Sequence, residues 1–230
     1  MYVKDHMTKK PVTVTPDTSV SKVLELMQKG HFHRVPVVDE NGVLKGLITE
    51  GVVTEASGQN TTSLSIFELN YLLSRTTVKE IMIKDVKTIT EGEFVELAAE
   101  VMLEAGINVL PVVDDSNKVI GIITEKDIFK TFVDLLGLKH QGTKFVIKME
   151  NKPGLLAKVS SLLAENDANV EATGVYQNEE RGAEFFVKAT GTIEVEAMTK
   201  ILKENGMDVV AVVQTTTEGK TVHYEPEKIA

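Results

Sequence analysis

Two stretches of the N-terminal half place apolar residues three and four positions apart, the spacing that gathers them on one face of an α-helix. The first stretch carries Val20, Val23, Leu24 and Met27, and the second carries Val95, Ala98, Ala99 and Met102. A run that favours a short strand comes before each stretch, at Thr13–Thr15 and Thr88–Thr90. The pattern therefore predicts the same strand and helix twice.

Each predicted helix is followed by two apolar runs that are too short to be helices. Arg34–Asp39 and Leu44–Thr49 follow the first helix, and Val109–Asp114 and Val119–Thr124 follow the second. Turn-forming residues separate the two runs of each pair. Each pair is therefore predicted to form two short strands that lead into a final short helix.

These two halves are copies of one unit. A shift of 75 residues aligns Val3–Val53, the first repeat, with Val78–Ile128, the second repeat, and 17 of the 51 aligned residues are identical. Identities spread over so long a segment indicate a repeated supersecondary unit. Between the repeats, the apolar residues Ile66, Phe67, Leu69, Leu72 and Leu73 predict a short amphipathic helix that packs on the repeats or on a second subunit.

The pattern changes after Gly137. The remaining elements are predicted as a strand at Thr143–Met149, a helix over 155–166 with Pro153 near its start, strands at Asn169–Tyr176 and Ala183–Ala189, a helix at Glu194–Glu204 and a strand at Asp208–Val213. This βαββαβ order is that of a ferredoxin-like fold. The residues from Gln214 onward are expected to be a loosely ordered tail.

Composition narrows the classes of function. The chain has 230 residues, a net charge of −9 and no Cys, which excludes disulfides, thiolate nucleophiles and Cys-ligated metal sites. No apolar run approaches the roughly 18 residues of a membrane span, and the first residues lack the apolar segment of a signal peptide. No segment is basic enough to favour nucleic acid. We therefore expect a cytoplasmic protein that binds neither nucleic acid nor a membrane.

The sequence does not point to catalysis. It contains no pairing of a nucleophile with a base, no glycine-rich loop that would hold phosphates and no paired metal ligands. His31 and His33 stand two residues apart on a predicted strand, but no carboxylate accompanies them locally, so a metal site is not expected.

The run of apolar-Pro-Val-Val-Asp, the turn after it, and the Gly-apolar-apolar-Thr-x-x-Asp motif resemble the CBS domain. Two such copies in tandem are similar to a CBS pair, or Bateman module. The resemblance implies an α+β fold in which two βαββα-type repeats pack around a pseudo-two-fold axis. It also implies two clefts that in many relatives bind an adenosine-containing ligand. The expected ligand here is AMP, ADP or ATP rather than S-adenosylmethionine.

Thr124 and Asp127 admit two interpretations. A Thr at a helix N-cap with an acid three residues later approximates a capping box, which stabilises a helix by about 0.5–2 kcal/mol without any ligand. The resemblance instead implies that Asp127 accepts hydrogen bonds from the ribose hydroxyls and that Thr124 contacts ribose or phosphate. Val52 stands at the equivalent position of the first repeat and can accept no such bond. The cleft of Asp127 is therefore the predicted nucleoside site.

The resemblance implies the rest of this cleft as well, namely Ile83, Lys84, Val86, Thr88, Val109, Leu110 and Pro111. The alternative is that the apolar members of this set are core residues. His33 and Arg34 are predicted phosphate contacts, since a guanidinium matches the geometry of phosphate oxygens. A solvated surface patch is the alternative for these two residues.

The segment Asn151-Lys152-Pro153-Gly154-Leu155 follows the first strand of the C-terminal half and resembles the corresponding loop of the ACT domain. The resemblance implies an amino-acid or small carboxylate effector held by Asn151, Pro153, Gly154 and Leu155 at a dimer interface. The alternative is that these residues only shape the turn and that the domain serves for dimerisation.

Tandem CBS domains followed by an ACT domain resemble the acetoin-utilisation regulatory proteins of bacteria. The predicted domains are CBS domain 1 with the linker helix (1–75), CBS domain 2 (76–138), the ACT domain (143–213) and the tail (214–230). The predicted function is non-catalytic sensing of an adenine nucleotide, by a homodimer or larger closed oligomer that acts on an unidentified protein. A structural dimerisation protein or accessory subunit without a ligand is the alternative.

Overall fold

The computed structural model describes residues 1–56, 66–138, 140–148, 153–178, 182–191 and 193–229. They form two compact units, Met1–Phe129 and Lys130–Ala230, each with its own hydrophobic core. The first unit contains the helix between the repeats and both repeats as far as Phe129, which lies within the last helix of the second repeat. The second unit contains the predicted ferredoxin-like fold.

The first repeat consists of α1 (Val3–His6), β1 (Thr8–Lys9), α2 (Val20–Gly30), β2 (Arg34–Val38), β3 (Leu44–Thr49) and α3 (Glu50–Ala56). Helix α4 (Ile66–Arg75) follows it. The second repeat consists of α5 (Val78–Ile81), β4 (Ile89–Thr90), α6 (Val95–Ala105), β5 (Val109–Val113), β6 (Val119–Thr124) and α7 (Glu125–Leu135). Leu73 of α4 is buried in the core of the first repeat, as the amphipathic pattern predicts.

The strand predicted at Thr13–Thr15 is wrong in extent. Val14 alone makes a β-bridge, to Val37, with hydrogen bonds of 3.1 Å to the Pro36 carbonyl and 2.8 Å from the Val38 amide. Pro16, two residues later, has no amide hydrogen with which to extend the pairing. In the second repeat the same position becomes the two-residue strand β4, which pairs in parallel with β5.

A pseudo-two-fold relation connects the repeats. Strand β1 of the first repeat pairs with β6 of the second, with Thr8 opposite Ile122. The residues 75 positions away, Ile83 and Leu47, make the equivalent bridge through two hydrogen bonds of 2.9 Å. The relation predicted from the sequence repeat is therefore present in the backbone, and each repeat contributes an edge segment to the other repeat's sheet.

The second unit contains β7 (Gly142–Lys148), α8 (Leu155–Ala164), β8 (Ala168–Asn178), β9 (Gly182–Gly191), α9 (Val195–Glu204), β10 (Asp208–Thr215) and β11 (Thr221–Tyr224). Its antiparallel sheet has the order β11-β10-β7-β9-β8. Phe145, Ile147 and Val187 are fully buried together with residues of α8 and α9. The predicted βαββαβ order is confirmed.

The expectation of a loosely ordered tail is wrong. Gln214 and Thr215 belong to β10, and β11 pairs with them in antiparallel register before a 3-10 turn at Pro226–Lys228. The Lys203 ammonium donates hydrogen bonds to the carbonyls of Pro226 (2.5 Å) and Ile229 (2.8 Å). Pairing with β10 supplies the order that the polar sequence of this segment does not indicate by itself.

Candidate functional site

A cavity of about 660 Å³ lies between the two repeats, within the first unit. This inter-repeat cavity is lined by Leu47 and Thr49 of the first repeat and, in the second repeat, by Ile83, Asp85, Val86, Lys87, Ala99, Met102, Leu103, Gly106, Ile107, Asn108, Val109, Glu125, Ile128 and Phe129. Its size and mostly apolar walls with a few polar groups are typical of small-molecule sites.

The end of α6 shapes one wall of the inter-repeat cavity. Gly106 adopts the left-handed conformation with φ of 63°, which ends the helix and turns the chain toward β5. Ile107 and Asn108 follow directly and line the cavity. In the first repeat, His31 takes the left-handed position with φ of 53°, and the larger Phe32 follows it and packs against that repeat's core.

Three of the predicted site residues line the inter-repeat cavity: Ile83, Val86 and Val109. Lys84, Thr88, Leu110, Pro111, Thr124 and Asp127 are not among the lining residues. Leu110 has no exposed surface and belongs to the core of the second repeat. Its side chain is therefore a core residue, which was the alternative to a ligand contact. The sequence missed Leu47 and Thr49, because only the pairing of the repeats brings them to a site in the second repeat.

Asp127 and Thr124 form a capping arrangement at the start of α7. Oδ2 of Asp127 accepts a hydrogen bond of 2.9 Å from the Thr124 amide and one of 2.7 Å from the Thr124 hydroxyl. Glu125 and Ile128, which flank this pair, line the cavity. In the first repeat, the Thr49 hydroxyl oxygen accepts a 3.2 Å hydrogen bond from the Val52 amide. The two repeats thus cap the equivalent helices differently.

His33 and Arg34 have different partners. Nδ1 of His33 lies 2.7 Å from a carboxylate oxygen of Glu50. Arg34 Nε donates a 2.9 Å hydrogen bond to Oδ1 of Asn108, which lines the cavity. Of the two predicted phosphate contacts, Arg34 is therefore the one bonded to a wall of the inter-repeat cavity.

The predicted effector loop of the second unit is only partly described. Asn151 lies outside the described residues. Pro153 precedes Gly154, which has φ of 95° and forms the N-cap of α8, and Leu155 packs against the core of the unit. The Gly154 carbonyl accepts a 3.0 Å hydrogen bond from the Lys158 amide.

A buried lysine fastens the segment before β7 to the sheet of the second unit. Lys188 is 3% exposed, and its ammonium donates hydrogen bonds to the carbonyls of Gly137 and His140. Burial lowers the pKa of Lys188 from its usual 10.5, the nearby Glu171 acts in the opposite direction and Lys144 lowers it further. Glu171 also bonds to the His140 ring. The Lys188 side chain therefore has a structural role, because its ammonium holds the segment before β7 against the sheet.

The described residues contain neither a cluster of metal-ligating side chains nor a helix that could span a membrane. No group of three or more His, Asp or Glu side chains in this part of the chain is placed to hold a metal ion. No helix within it is both long and apolar enough to cross a membrane.

Family models match most of the chain. The model of the CBS domain matches residues 3–57 and 78–134, which cover the two repeats. The model of the ACT domain matches residues 144–206 in the second unit.

Two solved structures are similar to the first unit. One is a CBS domain pair crystallised with 5′-methylthioadenosine and S-adenosyl-L-methionine, 33% identical over 58% of this chain and 97% of that chain, with a TM-score of 0.50. The other comes from Vibrio cholerae and is provisionally assigned to acetoin utilization; it is 28% identical over 60% of this chain and 94% of that chain, with a TM-score of 0.50.

Among curated proteins, the L-aspartate semialdehyde sulfurtransferase of Methanocaldococcus jannaschii is 34% identical over 130 residues. The match covers 56% of this chain and 23% of the enzyme. The chain therefore spans less than a quarter of the length of this relative.

Proposed function

The chain belongs to the CBS-domain proteins, with two CBS domains followed by an ACT domain, and from this premise we propose that it is a non-catalytic sensor of an adenine nucleotide. The observation that carries the proposal is the inter-repeat cavity, which both repeats line and which has the volume and apolar walls of a small-molecule site. A ligand in this cavity would contact both repeats at once, so its binding can change how the two repeats pack against each other.

The proposed nucleoside site uses two groups of residues. Ile83, Val86 and Val109 provide apolar surface in the cavity wall for the base. Asp127 and Thr124 stand at the start of α7, next to the lining residues Glu125 and Ile128, and are proposed to hold the ribose. Lys84, Thr88 and the backbone of Leu110 and Pro111 complete the proposed site around this cavity.

The ligands of a relative support the class of molecule. The CBS pair that is 33% identical to this chain was crystallised with two adenosine derivatives, 5′-methylthioadenosine and S-adenosyl-L-methionine. We extend the adenosine portion to this chain and take AMP, ADP or ATP as the ligands to test first. A role in acetoin utilization is a further proposal. It rests on the Vibrio cholerae protein, whose own assignment is provisional.

Titration calorimetry of the intact protein with AMP, ADP, ATP and S-adenosylmethionine tests the proposal. We expect one adenine nucleotide per chain to bind and to raise the melting temperature. Ile83→Trp places a large ring at the cavity wall and should abolish binding. Thr8→Trp, at the equivalent position of the first repeat, is the matched control and should bind as the wild type does.

The absence of heat and of any thermal shift with all four ligands would contradict the proposal and favour a purely structural protein. Amino acids and short-chain carboxylates belong in the same titrations, because the ACT domain is proposed to hold such an effector near Asn151, Pro153, Gly154 and Leu155. Light scattering on the same samples tests the proposed homodimer or larger closed assembly, which a mass near 25.2 kDa would contradict.

A further inference from the structure

A second cavity, of about 230 Å³, opens at one end of the sheet in the second unit. The start of β7, the end of β9 and the end of β10 meet there, and they bring Thr143, Gly191 and Thr215 into its lining. The predicted effector loop follows Lys148 at the other end of β7, and a strand of seven residues spans roughly 20 Å. This sheet-end cavity is therefore separate from the effector loop.

Much of the sheet-end cavity is built from residues outside the ACT match. The family model covers residues 144–206, whereas Thr143 and residues 214–217 of the lining lie beyond it. Strand β11 orients one of these residues, because the Tyr224 hydroxyl donates a 3.1 Å hydrogen bond to Oε1 of Gln214. The amide nitrogen of Gln214 then points to Thr143, whose hydroxyl oxygen lies 3.5 Å away. The C-terminal strand thus fixes a polar group in the cavity wall.

Two Thr side chains of the lining are almost fully buried. Thr143 is 1% exposed and Thr215 is 8% exposed. The Thr143 hydroxyl accepts only the long contact from Gln214, so its own hydrogen is available to donate. The Thr215 hydroxyl makes no hydrogen bond within the described part of the chain. Because a buried polar group without a partner costs free energy, both hydroxyls favour a polar occupant of the cavity.

The lining residues of the sheet-end cavity carry no charge. They comprise two Gln and four Thr residues, and the others are Gly, Ala and Ile. A carboxylate or an ammonium that entered would lose its hydration without gaining a counter-charge. Since a water molecule occupies about 30 Å³ in the liquid, the cavity has room for about seven waters or for one molecule of comparable size.

We propose that the sheet-end cavity binds a small neutral molecule with neighbouring hydroxyl or carbonyl oxygens, such as a short polyol or a hydroxy ketone. The hydroxyls of Thr143 and Thr215 can each donate to and accept from such groups, and the Gln214 amide supplies a further donor. The lack of charge in the wall excludes the amino acids and carboxylates that we propose for the effector loop. This site goes beyond the proposed function and does not depend on nucleotide binding.

Nuclear magnetic resonance of the intact, isotope-labelled protein tests the proposal during titration with glycerol, propylene glycol and hydroxyacetone. Lactate, which carries a carboxylate in place of one alcohol group of propylene glycol, is the matched charged probe. Thr143→Val and Thr215→Val each exchange a hydroxyl of the cavity for a methyl group. Thr199→Val makes the same exchange at a buried Thr of α9, whose hydroxyl donates a 2.7 Å hydrogen bond to the Val195 carbonyl. Melting temperatures show whether each variant is folded.

We expect at least one neutral probe to cause saturable shifts centred on the amides of Thr143, Gln214 and Thr215, and lactate to cause none there. Thr143→Val and Thr215→Val should each weaken this binding by about three- to tenfold, the effect of losing one hydrogen bond between neutral groups. Thr199→Val should bind the probe as the wild type does.

Three results would overturn the proposal. The absence of saturable shifts with all three neutral probes would show that the cavity holds water only. Shifts centred on Gly154 and Leu155 would place the probe at the effector loop instead. Equal affinity of the wild type and both cavity variants would show that the two buried hydroxyls do not contact the probe.

Discussion

At the scale of single residues, two pairs of Thr and acid in the described part of the chain share the same hydrogen bonds. Asp127 accepts two hydrogen bonds from Thr124, and Glu80 accepts two from Thr77, at 2.8 Å from its amide and 2.5 Å from its hydroxyl. One pair adjoins lining residues of the inter-repeat cavity, whereas Thr77 and Glu80 do not line it. The second pair therefore serves as an internal reference for the first.

Replacing each acid separates capping from ligand binding. Glu80→Ala and Asp127→Ala should both lower the melting temperature of the ligand-free protein, because each removes hydrogen bonds at a helix start. Only Asp127→Ala should also weaken nucleotide binding, by at least about tenfold, since each lost charge-assisted bond to ribose contributes about 1.5–3 kcal/mol. Calorimetry and thermal unfolding of both variants measure the two effects.

If Asp127→Ala resembles Glu80→Ala in both measurements, the acid at 127 is only a helix cap. The converse variant, Val52→Asp, should add a second binding event if the cleft of the first repeat is otherwise competent.

The pair of Thr77 and Glu80 should make a contribution to stability that depends on pH. The hydrogen bonds from Thr77 lower the pKa of Glu80 from 4.5, so its contribution to stability is present above pH 4.5 and is lost as the pH falls through the lowered pKa.

The sequence could indicate some of these residues and not others. Ile83, Val86 and Val109 were found by resemblance, and they line the cavity. Asn108 and Glu125 were missed although they adjoin predicted residues, because a sequence pattern does not show which side of a strand end faces a cavity. The bond between Arg34 and Asn108 joins residues of different repeats, which no local pattern could place together.

At the scale of elements, Gly46 and Gly121 are required because an edge segment of the other repeat packs closely against each of them. A Cβ at Gly121 of β6 would lie 2.3 Å from Sδ of Met7, and a Cβ at Gly46 of β3 would lie 2.7 Å from Sδ of Met82. Gly46 differs in that the Ile83 carbonyl oxygen would also lie at 2.7 Å. The identities at these positions in both repeats thus reflect one close contact made twice.

This difference predicts which glycine variant can be rescued. Gly121→Ala and Gly46→Ala should each destabilise the first unit, by about 1–3 kcal/mol, because overpacking forces neighbours to move. A second substitution, Met7→Ala, should recover most of the loss in Gly121→Ala, since the clash is with a side chain. Met82→Ala should not recover Gly46→Ala, because the carbonyl of Ile83 remains. Chemical denaturation of the single and double variants measures this, and equal rescue of both would contradict the account.

The elements that the sequence predicted correctly are those with a strong period of their own. Helices α2 and α6 contain the apolar residues that the sequence places at helical spacing. Helix α9 begins one residue after the predicted Glu194 and ends at the predicted Glu204. Strand β11 was missed because its residues, Thr221–Tyr224, are short and mixed in polarity. Its order comes from pairing with β10, so its existence depends on a partner rather than on its own pattern.

At the scale of the whole molecule, the two repeats exchange their first helices. Val3 of α1 is fully buried in the core of the second repeat, and Val78 of α5 is fully buried in the core of the first. The amides of Val3 and Val78 also bond across the exchange, to the carbonyls of Glu93 and Thr18 at 2.8 and 2.9 Å. Neither repeat therefore has a complete core without the other.

The exchange predicts that the first unit unfolds as one cooperative body and that a single repeat does not fold alone. Val3→Ala and Val78→Ala should each cost about 2–3 kcal/mol, because each removes buried methyl groups and leaves a void in the opposite repeat. A fragment of residues 1–76 should show no cooperative thermal transition, and adding residues 77–138 should restore one. A cooperative transition in the isolated fragment 1–76 would show that the first repeat completes its core without Val78. The exchange could then not explain how the proposed nucleotide binding would alter both repeats together.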